Sequence, residues 1–196
     1  MTDIELRLAD PPSQTAERKV PSAVLGTLIF IMTEIMLFGG FVSAFLVARS
    51  VAPAWPPLDQ PRLPVEETAF NTVALLLSGA LVYYAGRRFD DGSGKARMPM
   101  LLGVLLGTFF VVFQGVEWVQ LVADGLTLQK SAHASYFFLI VGAHGLHAVG
   151  GTLVLFNLWL RMQAGRLTSD SFWAGRVFWY FVVLLWPVLY YLVYLR

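Results

Sequence analysis

The chain has 196 residues, of which 57% are hydrophobic and 14% are charged, and its mean hydropathy is +0.63. Soluble domains carry roughly a quarter charged residues, so this composition predicts an integral membrane protein. The absence of cysteine excludes disulfides, thiolate metal sites, iron–sulfur clusters and haem attached through Cys-x-x-Cys-His. A formal net charge of +1 provides no basic field, so we expect no nucleic-acid partner.

The chain divides into a charged beginning and a long apolar remainder. The first 20 residues lack an apolar core and are typical of a polar tail rather than a cleaved signal peptide. We therefore predict a tail at residues 1–21 and a transmembrane domain at residues 22–196. Roughly 20 apolar residues cross a bilayer as a helix. Five stretches of about that length predict an all-α bundle of five transmembrane helices, at 22–48, 68–87, 99–122, 133–160 and 177–195.

Lysine and arginine are distributed unevenly among the connections between these spans. The tail, the second connection and the fourth connection carry ten of them with their flanks, and the opposite side carries four. Cytoplasmic connections hold the excess of positive charge, which predicts a cytoplasmic N-terminus and a C-terminus outside. The first connection contains "SVAPAWPPLDQPRLPVEE", whose prolines are typical of an extended connector, and it places Trp55 at the membrane interface.

Four ionisable side chains lie at membrane depth: Glu34, Glu117, His144 and His147. A charge at the bilayer centre costs at least ~2.5–3.5 kcal/mol, so we expect each to face the bundle interior, to be neutral or to have a partner. Glu34 is either a structural acid that donates a hydrogen bond while neutral, or a group that carries protons. Glu117 lies near the end of the third span, where we expect Gln114 or a neighbouring histidine to cap it.

The two central histidines are spaced i, i+3 and share one helix face. Di-iron bundles use that spacing as Glu-x-x-His, but they need four inward carboxylates and two are available here. We therefore expect no metal site, and we expect both rings to be neutral and bonded to neighbouring helices. The candidate partners on the second span are Asn71, Thr72 and Ser78. His133, at the start of the fourth span, is nearer to Glu117 in depth and is its predicted partner.

Small residues and one proline indicate how the helices pack. Gly103 and Gly107 form a GxxxG pattern, which favours close approach of helix backbones. We also expect a bulky replacement at Gly145 or Gly150 in the fourth span to disrupt packing. Pro187 lacks an N–H in the last span, so a kink is expected there.

Six segments in chain order carry a family resemblance: "TEIMLFGGFVSAF", a connection with "WPP", "FNTVALLLSGALVYYA", "GVEW", "HGLHAVGGT" and "FWYFVVLLWPVLYYLVYL". Over about residues 22–195 they resemble subunit III of the haem–copper oxidases, in the form that lacks the first two of seven helices. The resemblance implies a non-catalytic accessory subunit of a respiratory terminal oxidase in the bacterial cytoplasmic (inner) membrane. Its implied partners are oxidase subunits I and II. Haem and copper are expected in those partners and no cofactor in this chain, with structural phospholipid in a cleft between its first two helices and the remainder.

The resemblance also assigns residues. Glu34 matches a membrane-embedded acid that reacts with carbodiimide in the family and lies near the lipid cleft. The other positions that match the family pattern are Asn71, Glu117, His144 and His147. Further candidates for helix contacts or for the cleft are Trp55, Gly39 and Gly40. The last helix departs from the family's Trp-His-Phe-x-Asp, because Tyr180 and Val183 stand at the His and Asp positions.

Two alternatives stay open at this point. The changed last helix leaves room for a subunit III-like partner of a nitric oxide reductase. The second alternative is an independent proton-coupled carrier that uses Glu34. Carriers commonly show internal repeats, whereas these five spans are unlike one another.

Overall fold

The computed structural model describes residues 21–57, 60–92 and 94–195. These residues form five α-helices and no strand: α1 (Ser22–Val51), α2 (Val65–Asp90), α3 (Arg97–Ala123), α4 (Ala132–Gln163) and α5 (Ser169–Tyr190). The backbone of α5 continues as a π-helical turn at Tyr191–Leu195. The predicted polar tail, apart from residue 21, lies outside the described residues, as do four of the counted basic residues. These four are Arg7, Arg18, Lys19 and Arg196.

Each helix is long and apolar enough to cross a membrane. The predicted all-α bundle of five transmembrane helices is therefore confirmed. The helices extend beyond the predicted spans, most clearly in α5, which begins at Ser169 rather than at residue 177. The Thr168 side chain accepts a hydrogen bond from the Ser171 amide at 3.4 Å, and Asp170 lies in the first turn. A capping residue and an acid at this end favour helix in a segment too polar for hydropathy to detect.

The helices pack around α5. Helices α2 and α3 lie along each other, α4 contacts α3, and α5 contacts α1, α2 and α4. Trp179 and Trp186 of α5 are completely buried in this arrangement. Pro187 lies inside α5, and the helix continues past it to Tyr190. The predicted kink stays a prediction.

Helix α1 is attached along one narrow stripe. Its buried residues recur at every seventh position, at Val24, Ile31, Phe38 and Phe45. A seven-residue recurrence is typical of a coiled-coil seam, here facing α4 and α5. Only 17% of the apolar window of α1 is buried, against 50% for α2. Most of the α1 surface therefore faces outward, and a Cβ added at Gly39 or Gly40 would meet nothing within 4 Å. These two glycines make no close helix contact with any residue that the structure describes.

The GxxxG pattern of α3 does mark a close packing site. A Cβ at Gly103 would lie 2.8 Å from Cγ2 of Val82, and one at Gly107 would lie 2.9 Å from the Trp179 ring. Such distances leave no room for a side chain. Close approach of helix backbones is confirmed at Gly103, where a Cβ would lie 3.4 Å from the Ser78 carbonyl oxygen, whereas Gly107 makes room for the Trp179 side chain.

The packing glycine of α4 is a different one from those expected. A Cβ at Gly145 or at Gly150 would meet nothing within 4 Å, so the prediction that bulk at these positions disrupts packing is wrong for contacts within the chain. Both residues are only partly buried, and open space lies beside each of them among the described residues. Gly151 faces the core instead, where a Cβ would lie 2.8 Å from the Trp179 ring.

Two neighbouring glycines therefore provide a matched test of this packing. We expect Gly151→Leu to lower the free energy of unfolding by about 1–3 kcal/mol, the usual cost of overpacking a filled core. Gly150→Leu adds the same side chain one residue away in open space and should change it little. Unfolding in mixed micelles measures both variants, and equal losses would show that Gly151 does not face the α5 tryptophan.

Candidate functional site

Glu34 of α1 and His147 of α4 meet at the seam that attaches α1. Nε2 of His147 lies 3.0 Å from Oε2 of Glu34, which is an ion-pair distance. The two groups are in close contact without the alignment of a hydrogen bond. Nδ1 of His147 lies 2.7 Å from the carbonyl oxygen of Ala143, one turn earlier in α4. The two side chains are 13% and 17% exposed, so the contact is close to the protein surface without being open.

These contacts determine which ring nitrogen faces the acid. The Ala143 carbonyl can only accept, so Nδ1 of His147 carries a hydrogen. Nε2 is then the nitrogen that lies against the carboxyl of Glu34. A charge at membrane depth is costly without a partner, and this contact gives each of the two ionisable groups a polar neighbour.

Aromatic rings surround the imidazole of His147. Ring centroids of four phenylalanines lie between 5.5 and 6.5 Å from its own. They are Phe30, Phe38, Phe178 and Phe181. Glu34 and His147 are about 12 and 15 residues into their helices, or roughly 18 and 22 Å at 1.5 Å per residue. The contact between the two side chains therefore lies near the middle of the bundle in surroundings of low polarity, where electrostatic interactions are strong.

His144 has a different environment from His147. Its side chain is buried, with 1% exposure, and neither ring nitrogen has a hydrogen-bond partner. The ring stacks on Trp186 with centroids 4.9 Å apart and planes 24° apart. The prediction that this histidine bonds to neighbouring helices is therefore wrong.

The candidate partners on α2 bond elsewhere. Asn71 donates to the Phe110 carbonyl at 3.1 Å, Thr72 accepts from Nε1 of Trp186 at 2.8 Å, and Ser78 donates to the Gly103 carbonyl at 2.6 Å. Helix α5 packs against both α2 and α4, and it presents Trp186 to each of them. These polar side chains of α2 therefore form hydrogen bonds with α3 and α5 rather than with the histidines of α4.

Glu117 belongs to a second polar cluster, which joins α2, α3 and the end of the chain. Its Oε2 accepts from Nε2 of Gln114 at 2.7 Å and from the Thr68 hydroxyl at 3.1 Å. The Gln114 amide also lies 3.4 Å from the Tyr194 hydroxyl and 3.4 Å from Nδ2 of Asn71. Capping of Glu117 by Gln114 is confirmed. Glu117 is 4% exposed, so it is a buried acid rather than an interfacial one.

Thr68 and Tyr194 were not predicted as members of this cluster. Thr68 precedes Asn71 by three residues and so shares its helix face, which is the signal that could have found it. Tyr194 is indistinguishable in sequence from the interfacial tyrosines beside it. Its burial depends on the π-helical turn that ends the described chain.

His133 is not the partner of Glu117, contrary to the prediction. Its Nδ1 lies 3.2 Å from Oε1 of Gln60, and its ring packs edge-on against Trp55 with centroids 5.0 Å apart. Trp55 also packs on Phe45 of α1, at 5.4 Å. The α1–α2 connection therefore folds onto the start of α4, and Trp55 lies between helices rather than only at an interface.

The expected cleft between the first two helices and the remainder is not found among the described residues. Helix α2 packs directly along α3 and α5, so only α1 stands apart. A groove of about 720 Å³ opens instead between α3 and α4. No cluster of three or more His, Cys, Asp or Glu that could hold a metal ion occurs within residues 21–57, 60–92 and 94–195.

Comparison with known proteins agrees with this architecture. The family model of cytochrome c oxidase subunit III matches residues 17–196. The chain belongs to the cytochrome c oxidase subunit III family. The resemblance carried by the six sequence segments is thereby confirmed.

The similar proteins come from distant organisms. Cytochrome c oxidase subunit 3 of Synechocystis is 33% identical over 178 residues, covering 88% of this chain and 75% of the relative. The Arabidopsis thaliana protein of the same name is 37% identical over 180 residues, covering 86% of this chain and 66% of the relative. A probable cytochrome c oxidase subunit 3 of Nocardia farcinica is 31% identical over 169 residues, covering 83% of this chain and 82% of the relative. The chain thus spans 66% to 82% of the length of these relatives.

Membership in this family fixes the broad role of the chain. It is an accessory subunit of a respiratory oxidase, associated with other oxidase subunits in a membrane that it crosses several times. It is thereby part of an electron-transport chain.

The Glu117 cluster allows a direct test of its central amide. We expect Gln114→Leu to lower the free energy of unfolding by about 1–2 kcal/mol, because one amide serves three partners and a single membrane hydrogen bond averages ~0.6 kcal/mol. Gln120→Leu changes an exposed glutamine on the same helix and is the matched control. Unfolding in mixed micelles that finds the two variants equally stable would contradict the cluster.

Proposed function

We propose that this chain packs on the haem-bearing subunit I, beside subunit II, in a bacterial cytoplasmic membrane. Its N-terminus is then in the cytoplasm and its C-terminus outside. Haem and copper are held by the partner subunits, and this chain stabilises their complex during turnover. The observation that carries the proposal is the outward apolar surface of α1, which the described part of the chain leaves uncovered, in a member of the cytochrome c oxidase subunit III family.

The outward surface of α1 supports association with a partner or with lipid. Residues on this surface are large, apolar and more than half exposed, including Ile29, Met32, Met36 and Val47. The narrow seam leaves this surface without cover from the rest of the chain. Phospholipid tails along Gly39 and Gly40 would fill the space beside these small residues, so we place the structural phospholipid here.

The Glu34–His147 contact supports a role beside proton uptake. Ionisable side chains within a membrane are candidates for proton pathways, and here a carboxyl and an imidazole lie 3.0 Å apart at membrane depth. The pair therefore offers candidate proton-carrying groups beside the partner's uptake path. Glu34→Gln keeps the shape and neutrality of the acid, so assembly should survive it.

Deletion of the chain tests the accessory role. We expect the partner haems to remain spectrally present in the deletion strain, while the oxidase loses activity faster during turnover because a packing subunit is missing. Restoring the chain should restore the lifetime, and Glu34→Gln should restore assembly with a modest loss of activity. Loss of partner haem on deletion, or a stoichiometric Soret band on the purified chain alone, would contradict the proposal.

Carbodiimide labelling tests the burial of Glu34 and its contact with His147. The reagent reacts with a carboxyl in an apolar place, so we expect label on Glu34 in preference to the exposed acids Glu66 and Glu67. His147→Leu removes the imidazole that lies against the carboxyl, so the reagent should reach Glu34 more easily and its labelling should rise.

The control for this experiment is His133→Leu, which removes an imidazole from the same helix at about 21 Å from His147 along the helix axis. Its labelling should match that of the unchanged chain. Peptide mapping that finds the label spread over the loop acids would refute the burial of Glu34. Labelling unaffected by His147→Leu would refute the contact between the two side chains. We also expect less label on Asp59 than on Glu34, although Asp59 lies outside the described residues.

A further inference from the structure

A notch opens to the outside of the bundle between α2 and α5. Its apolar walls include Leu76 and Gly79 of α2 and Val183 and Leu184 of α5. Leu76 is 42% exposed and Leu184 is 67% exposed, so an occupant can reach these walls from the surrounding lipid. The notch has a volume of about 250 Å³, below the range of roughly 300–1,000 Å³ that is usual for small-molecule sites. It therefore suits a single acyl chain better than a whole small molecule.

The two residues at which the last helix departs from the family pattern both line this notch. Tyr180 stands at the family's His position and Val183 at its Asp position. Val183 lies against Gly79, where an added Cβ would be 2.9 Å from its Cγ1. With a valine in place of a carboxylate, no Asp, Glu, Lys or Arg lines the notch. The departure thus makes this part of the α2–α5 contact apolar.

Two arginines of α2 lie just beyond the notch. Tyr83 lines the notch, and Arg87, one helical turn later, forms a side-chain hydrogen bond with it. Arg88 reaches back in the same way to the Tyr84 hydroxyl, from Nε at 2.8 Å. Both arginines are therefore turned back along α2 toward its apolar part. Cationic groups next to apolar walls match a lipid headgroup above its acyl chain.

Arg87 is the cation beside the notch that an anion can reach. Arg176 of α5 lies 3.4 Å from Asp90 and over the Phe172 ring, and its side chain is 13% exposed. Arg87 is exposed and forms no ion pair among the described residues, although Asp91 acts on it electrostatically. A guanidinium has five N–H donors in a planar fork that fits phosphate. The Tyr83 contact leaves donors of Arg87 for such a group.

This end of the bundle also has an excess of positive charge. Among the described residues, its helix ends and connections carry seven arginines and lysines and three acids, whereas the opposite end carries three of each. Basic pockets between transmembrane helices bind the headgroups of anionic lipids. A free phosphate would use Arg87 but not the apolar notch, and a neutral lipid would use the notch but not Arg87.

We propose that the α2–α5 notch binds an anionic phospholipid, with its phosphate on Arg87 and one acyl chain against Val183. This site is separate from the phospholipid placed along α1 and goes beyond the proposed accessory function. Because this chain alone forms the notch, the site can be tested whether or not the oxidase partners are as proposed.

Photolabelling tests the site in phosphatidylcholine vesicles that contain the full chain. The probe is a trace of phosphatidylglycerol with a diazirine on one acyl chain, and the comparison probe is phosphatidylcholine with the same chain. We expect the phosphatidylglycerol probe to label residues 76–84 and 180–184 more strongly, and unlabelled phosphatidylglycerol to displace it. Equal labelling by the two probes, or label spread evenly over the exposed apolar surfaces, would overturn the proposal.

Charge variants separate a local site from general attraction. We expect Arg87→Gln to weaken labelling by the phosphatidylglycerol probe about fivefold, as for one basic residue at an anionic lipid surface. Arg87→Lys keeps the charge and should keep most of the labelling. Arg97→Gln removes the same charge from an exposed position on α3 at the same end, and should leave labelling unchanged. Equal losses in Arg87→Gln and Arg97→Gln would contradict a site at the notch.

Two alanine variants separate occupancy from folding. Ala80 lines the notch and is exposed, so Ala80→Phe should fill the notch without disturbing the bundle and should abolish the labelling. Ala123→Phe makes the same change at an exposed position outside the notch and should have no effect. Full labelling of Ala80→Phe would show that the acyl chain lies elsewhere.

Discussion

One polar contact at membrane depth, between His147 and Glu34, fixes a helix that is otherwise attached only by a narrow apolar stripe. Apolar packing gives little preference for one neighbour in a membrane, since lipid tails are as apolar as Ile31 or Phe38. A carboxyl facing lipid is costly, so pairing with His147 gives α1 a defined position against α4. Nδ1 of His147 is occupied by its own helix, so Nε2 is the nitrogen that faces Glu34. One pair of residues therefore sets the position of α1.

The remaining four helices depend on a different set of bonds. Gln114 and Glu117 bind side chains of α2 and of the chain's last turn, and Trp186 donates to Thr72 across the bundle. Tight glycine contacts with Trp179 add close packing on the same helices. The molecule thus combines a firmly bonded group of four helices with a first helix whose outer surface is open to a partner or to lipid. This division suits a subunit that must associate with other chains.

Hydropathy and charge were sufficient to predict the five spans, because they report which residues face lipid. They could not predict contacts between helices, since these depend on which helix lies opposite. Gly150 and Gly151 are adjacent and chemically identical, yet only Gly151 faces a tryptophan. His144 and His147 share a helix face, yet the first stacks on Trp186 of α5 and the second contacts Glu34 of α1. Glu117 was assigned to Gln114 correctly because that partner is one helical turn away. The partner of His133 lies in a connection without periodicity.

The coupling free energy between Glu34 and His147 tests this account most directly. It is obtained from the free energies of unfolding, in mixed micelles, of the unchanged chain, Glu34→Leu, His147→Leu and the double variant. In each single variant, one polar group of the pair remains unpaired in an apolar site. The double variant has no unpaired polar group at this site. The account predicts a coupling of about 0.6–1.7 kcal/mol, the range of membrane double-mutant cycles. Additive effects of the two substitutions would contradict the claim that this contact holds α1 to the bundle.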